Sequence, residues 1–100
     1  MMPKKRPIHP GAIIREDILK ELSLTQEALA LAIGVSRRTV NELVNEKRSV
    51  TAEMALKLGR FTKTSPEMWL NLQNAVDLWD AYHTPGLRIE CVKSFEEAPL

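Results

Sequence analysis

The strongest indication of the fold is a pair of short helix signals in the middle of the chain with a glycine between them. Thr25 is a good N-cap for the segment QEALALAI, and Gly34 is the residue best suited to end that segment with a left-handed cap. Ser36 can cap the next segment, RRTVNELV. Two helices, over about 26–33 and 37–45, joined by three or four residues that include a glycine, form a helix-turn-helix.

Three further helices are predicted around this pair. Apolar residues recur at helical spacing over about 10–22, 52–62 and 66–82, and the letters SPE give the last helix an N-cap and a first-turn proline. The segment LRIECVKSF partly alternates, which predicts a short strand, and the final EEAPL should fray. The sequence therefore predicts an all-α, five-helix domain over 1–83 and a C-terminal extension over 84–100.

Composition narrows the class of protein. A chain of 100 residues with 44% hydrophobic and 5% aromatic residues supports one domain with a mainly aliphatic core. No apolar run approaches the roughly 18 residues of a membrane span, and the start MMPKKRPIHP lacks the apolar centre of a signal peptide. The single cysteine, Cys91, excludes an internal disulfide and fits a reducing compartment. We expect a cytoplasmic protein with no membrane partner.

Charge is unevenly distributed along the chain. Residues 1–63 hold twelve Lys/Arg and seven Asp/Glu, whereas residues 64–100 hold two Lys/Arg and six Asp/Glu. A basic first part can face a polyanion and an acidic last part can face a basic partner, although such blocks are often only solvated surface.

The second helix of the pair begins with two arginines, which is an unfavourable choice of residue at that place. A helix N-terminus already carries roughly half a positive charge from its dipole, so an external anion is expected to compensate Arg37 and Arg38. In a helix-turn-helix the second helix enters the DNA major groove, where an arginine fork can bond guanine or hold a phosphate. The sequence therefore predicts double-stranded DNA as a partner.

Candidate DNA contacts follow from the helix face that remains outside. The apolar side chains of Val40, Leu43 and Val44 share one face and must point inward. A carboxylate on the other face can accept from cytosine N4, although an i, i+4 ion pair is its plainer interpretation. The residues predicted to read bases are Arg37, Arg38, Asn41 and Glu42. The residues predicted to contact phosphates are Thr25, Gln26, Thr39, Asn45, Lys47 and Arg48.

Catalytic interpretations find little support. His9 and His83 are far apart in sequence, and neither has metal-ligand spacing with Cys91. The chain has no glycine-rich phosphate loop. We therefore expect no enzyme activity, no metal or cofactor and no small-molecule substrate. A small helical bundle with a merely charged surface remains the plain alternative to a DNA-binding protein.

The motif-bearing segments resemble a known family. LTQEALALAIGVSRRTVNELVNEKR looks like the helix-turn-helix of the phage-repressor (Cro/C1, XRE) family. More narrowly, IHPGAIIREDIL, VNEKRSVTAEMALKLGRF and TSPEMWLNLQNAVDLW resemble the HigA (VapI-like) antitoxins of HigBA toxin–antitoxin modules. The resemblance implies a phage-repressor-like five-helix domain, a homodimer, an inverted-repeat operator in the module's own promoter, and a RelE-like HigB ribonuclease toxin as partner.

One position departs from this pattern. The loop after the recognition helix usually reads Asn-Gly-Arg/Lys-Arg, but here Glu46 takes the place of the glycine. If that position needs a positive φ, the strain is of order 1 kcal/mol. A carboxylate near DNA phosphates would weaken binding further.

The last helix carries a broad apolar stripe. Leu72, Val76 and Trp79 are predicted to form a dimer contact together with the C-terminal segment, since two-fold dimers present two recognition helices to successive major grooves. Two other functions stay open at this point. One is a solitary XRE-type repressor without a toxin, and the other is a protein-only neutraliser that binds DNA weakly.

Overall fold

The structure, a computed structural model, describes residues 2–98, and its main helices begin at capping side chains. Each cap accepts a hydrogen bond from the backbone N–H three residues later, which satisfies an amide that has no partner within the helix. The caps are Thr25, Ser36, Thr51 and Ser65. The helices are α1 (Pro10–Ile13), which continues as a π-helical segment (Ile14–Lys20), α2 (Gln26–Ile33), α3 (Arg37–Val44), α4 (Ala52–Thr62) and α5 (Pro66–Tyr82).

The first helix differs in kind from the prediction. A single helix was predicted over 10–22, but only its first four residues are α-helical, and the chain then winds as a π-helix to Lys20. Apolar spacing does not distinguish the two windings, because Ile14 and Ile18 face the core in either one. The prediction for α3 was one residue too long, since that helix ends at Val44.

The predicted strand is wrong for the described residues. Its segment contains a short 3-10 helix, Ile89–Cys91, and no strand lies within residues 2–98 to pair with it. Of the predicted frayed end, residues 99 and 100 lie outside the described residues. The residues before them form a turn, in which Ala98 N–H donates to the Ser94 carbonyl at 3.0 Å. The five-helix, all-α prediction is confirmed.

The core draws on every main helix and is largely aliphatic, as predicted. Its one large aromatic residue, Trp69, is 1% exposed, and its indole N–H donates to Thr64 Oγ1 at 2.9 Å. Burial of these side chains fixes how α3 sits against the rest of the domain. The largest fully buried aliphatic side chains are Ile14, Leu29, Leu43, Leu58, Val40 and Val76.

Two contacts hold the C-terminal end of α3 and the loop that follows it. A Cβ on Gly11 would lie 1.8 Å from the Leu43 carbonyl oxygen, so only glycine lets α1 approach the end of α3 this closely. On the other side, the buried side chain of Gln73 in α5 accepts from Val50 N–H at 2.8 Å. These contacts hold α3 and the loop after it in a fixed position relative to α1 and α5.

The C-terminal extension projects from the domain. The described chain measures 56 × 23 × 21 Å, with a radius of gyration of 17.0 Å against about 13 Å for a compact chain of this length. Residues 83–97 are exposed throughout. None of the helices in the described part is both long and apolar enough to cross a membrane.

Candidate nucleic-acid interface

The turn between α2 and α3 has the geometry that its sequence predicts. Gly34 adopts φ 72° at the end of α2, and Val35 N–H donates to the Ala30 carbonyl at 3.0 Å. Ser36 then caps α3, with its Oγ accepting from Thr39 N–H at 3.1 Å. The same Oγ lies 2.9 Å from Thr39 Oγ1. This turn presents the N-terminus of α3 at the surface.

A line of amide side chains joins α2 to the outer face of α3. Asn41 Nδ2 donates to Gln26 Oε1 at 3.2 Å, and Asn45 Nδ2 lies 3.3 Å from Asn41 Oδ1. Asn45 also donates to the Asn41 carbonyl at 2.9 Å. The structure thus brings together one predicted base contact and two predicted phosphate contacts, and their mutual hydrogen bonds orient them.

Glu42 pairs with two arginines of the same surface. Arg48 donates to its carboxylate from Nε at 3.0 Å and from Nη2 at 2.7 Å, and Arg38 Nε lies 3.5 Å away. The Arg48 hydrogen bonds hold the pKa of Glu42 below its usual value. Glu42 therefore forms the i, i+4 ion pair with Arg38 that its spacing predicts, and Arg48 forms a second, closer ion pair with it.

The leading end of α3 is open. The Arg38 side chain is 86% exposed, and Arg37 is exposed as well. Among residues 2–98, the ion pairs include neither Arg37 nor Lys47. Thr25 caps α2 with its hydroxyl, which accepts from Ala28 N–H at 3.0 Å.

The loop after α3 turns through a left-handed residue. Glu46 has φ 59°, the left-handed conformation that glycine adopts with the least strain. Arg6 Nη1 donates to its carboxylate at 3.0 Å, and Arg15 Nη2 lies 4.0 Å from the other oxygen. Neither arginine was predicted to be part of this surface. The basic start of the chain was visible, but the carboxylate that it meets lies 40 residues away.

The predicted dimer residues occupy different environments. Leu72 is half-buried and packs against the core, and Val76 is 1% exposed within the single chain. A side chain that is already buried has no surface for a partner, so Val76 does not qualify as a dimer contact. Trp79 is half-buried, stacks on His83 with ring centroids 3.8 Å apart, and donates to the Pro3 carbonyl at 3.3 Å.

These features define a class of protein. The helices α2 and α3 are packed on the core and joined by a capped turn. They expose the polar face of α3 and its N-terminal end with two arginines, as a DNA-binding helix-turn-helix does. The residues that the structure describes hold no cluster of His, Cys, Asp or Glu suited to a metal ion.

Comparison with known proteins agrees with this class. The helix-turn-helix family model matches residues 16–69. Antitoxin HigA-1 of Vibrio cholerae is 44% identical over 77% of this chain and 72% of its own length. The Pseudomonas aeruginosa antitoxin HigA, solved with the higBA promoter, is 48% identical over 77% of this chain and 84% of that chain, with a TM-score of 0.74. Another P. aeruginosa protein, solved with its operator DNA, is 45% identical over 95% and 98% of the two chains, with a TM-score of 0.79.

This chain belongs to the XRE-type helix-turn-helix family and, within it, to the HigA-type antitoxins. It is a DNA-binding regulator of that family and not an enzyme.

Proposed function

We propose that this protein is the antitoxin of a two-gene module. As a homodimer in the cytoplasm it binds an inverted-repeat operator, represses its own operon and neutralises a RelE-like HigB ribonuclease. The main observation behind the proposal is that α3 begins with two exposed arginines. Beside them, the amide side chains of Gln26, Asn41 and Asn45 are joined by hydrogen bonds.

The DNA-binding part of the proposal is supported by electrostatics. Two cationic side chains at the positive end of a helix destabilise each other and the helix in the unbound protein. A phosphate at that place supplies an opposite charge, and a guanine edge supplies the acceptor atoms O6 and N7 that an arginine fork can bond. In this proposal Arg37 and Arg38 read bases, while Lys47 and Arg48 hold the backbone on the far side of the groove.

The toxin-binding part is supported by the charge of the last third of the chain. A ribonuclease must attract RNA, so its surface is basic, and an acidic antitoxin surface is complementary to it. The acidic residues of this part that the structure describes are exposed. They are Glu67, Asp77, Asp80, Glu90, Glu96 and Glu97.

The deciding experiment is a gel shift on the DNA upstream of this gene, with and without the purified product of a neighbouring small basic reading frame. We expect a specific shift by the antitoxin alone, a changed shift in the presence of that product, and loss of its ribonuclease activity when the two are mixed. A shift without any effect on a neighbouring product would instead support a solitary repressor. Neutralisation without any shift would support a protein-only neutraliser.

A further inference from the structure

One side chain joins three separate parts of the molecule. Arg6 donates to both carboxylate oxygens of Asp80 in α5, from Nε at 2.8 Å and from Nη2 at 2.9 Å. Its remaining terminal nitrogen, Nη1, donates to Glu46 Oε1 at 3.0 Å. The N-terminal arm, residues 2–9 before α1, is thereby tied both to α5 and to the loop that follows α3. Paired, bidentate geometry of this kind is the strong form of an arginine–carboxylate contact.

Glu46 occupies a place where a carboxylate is unfavourable for binding DNA. It stands between Asn45 and the pair Lys47 and Arg48, all of which the sequence predicts to contact phosphates. A negative charge there repels the backbone of the DNA and competes for the neighbouring cations. Something in the protein must offset this charge if the loop is to approach a phosphate.

Two guanidinium groups face that carboxylate. Arg6 bonds one oxygen, and Arg15 Nη2 lies 4.0 Å from the other. Arg15 also donates to the Val44 carbonyl at the end of α3, so it has a second task there. Arg6 is the closer of the two, and Asp80 fixes its position.

We propose that Arg6 is a positioning residue for DNA binding, which neutralises Glu46 and holds its carboxylate on the arm side of the loop without itself contacting DNA. The inference rests on the proposed function, because it takes the loop to be part of the DNA-binding surface. It assigns the N-terminal arm a role in this chain that depends on the glutamate at position 46. A chain with glycine at that position would not need it.

A double-mutant cycle tests this role. Arg6→Ala should weaken operator binding roughly tenfold, since it leaves a carboxylate uncompensated beside the phosphates. Glu46→Gln keeps the side chain and the positive φ but removes the charge, and it should bind at least as tightly as the wild type. In the Glu46→Gln background, Arg6→Ala should change the affinity by less than about twofold, because no charge is left to neutralise.

Lys5→Ala is the matched control, since it removes the same charge from the same arm. Its effect on operator affinity should be the same in both backgrounds. Melting temperatures of all variants show whether each one folds. If Arg6→Ala does not fold, Arg6→Lys replaces it, and this variant, which keeps the charge, should retain part of the operator affinity.

Two outcomes would overturn the inference. If Arg6→Ala loses the same factor in the wild-type and the Glu46→Gln backgrounds, the arginine acts directly on DNA or on the fold. If it loses nothing in either background, Glu46 needs no neutralisation. Failure of the proposed function is distinguishable from both, because the wild type would then not shift its own operator at all.

Discussion

At the scale of single residues, the hydrogen bond that the buried side chain of His9 accepts determines its protonation state. It is 5% exposed and caps α1, with Nδ1 accepting from Gly11 N–H at 2.9 Å. A nitrogen that accepts a hydrogen bond carries no proton, so this cap requires the neutral imidazole. Burial, which penalises the charged form, is the main reason that the pKa of His9 lies below its ordinary value of 6.5. The nearby charges act in both directions and are those of Glu46, Arg6, Asp77 and Asp80.

This cap predicts a pH dependence of stability. Because the pKa of His9 is lower in the folded chain than in the unfolded one, the unfolded chain binds the proton more readily, and the free energy of unfolding falls as pH drops below about 6.5. The melting temperature should therefore be lower at pH 5.5 than at pH 7.5. His9→Asn keeps a capping oxygen but does not titrate, so it should lose most of this difference. An unchanged difference in His9→Asn would assign the pH dependence to other groups.

At the scale of the element, α3 divides its residues between two tasks. Val40, Leu43 and Val44 are buried and hold the helix on the core. Its exposed side chains lie on the opposite face and at the N-terminal end of the helix. Substitution of an exposed arginine there should leave the fold intact, and even relieve like-charge repulsion at the helix N-terminus.

The proposed readout predicts different behaviour for two kinds of cation. Arg37→Ala and Arg38→Ala should each cost roughly 1–3 kcal/mol of operator affinity per half-site, with much less effect on unrelated DNA. Lys47→Ala should weaken binding to all sequences alike and reduce the salt dependence by about one phosphate. Affinities for operator and random DNA, measured side by side with melting temperatures, decide the matter. Equal losses on both DNAs would make the arginines phosphate contacts.

At the scale of the whole molecule, apolar surface is left uncovered on α5 and beyond it. Leu78 is 61% exposed and Tyr82 is 53% exposed, and the projecting extension adds Val92 at 70% and Phe95 at 86%. Large apolar side chains left exposed on a surface are candidates for a protein–protein contact. They support the proposed dimer through α5 and the extension, with Leu78 in place of the buried Val76.

The dimer proposal predicts coupled losses. Trp79→Glu and Leu78→Glu should shift the protein toward the monomer in light scattering and weaken operator binding, because two half-sites are no longer held together. Leu78 serves as the cleaner variant, since Trp79 also bonds the arm through Pro3. Leu31→Glu, at an 85% exposed position on α2, is the matched control and should leave the dimer intact. An unaltered dimer in both α5 variants would place the contact elsewhere.

Helices whose signals are local could be predicted from the order of residues alone. N-caps, a C-terminal glycine and apolar spacing act over three to five residues, and they located α2, α4 and α5 to the residue. The same signals placed the arginines at the start of α3 and identified the helix-turn-helix.

Contacts between groups far apart in the chain depend on how the helices pack. Arg6 reaches Asp80 across 74 positions of the chain, and Val76 is buried by neighbours that its own helix does not specify. The π-winding of the segment after α1 was equally hidden, because its buried residues fit either helix. Ion pairs between surface elements and the burial of one side chain depend on how helices pack, and the local pattern of residues carries no record of that packing.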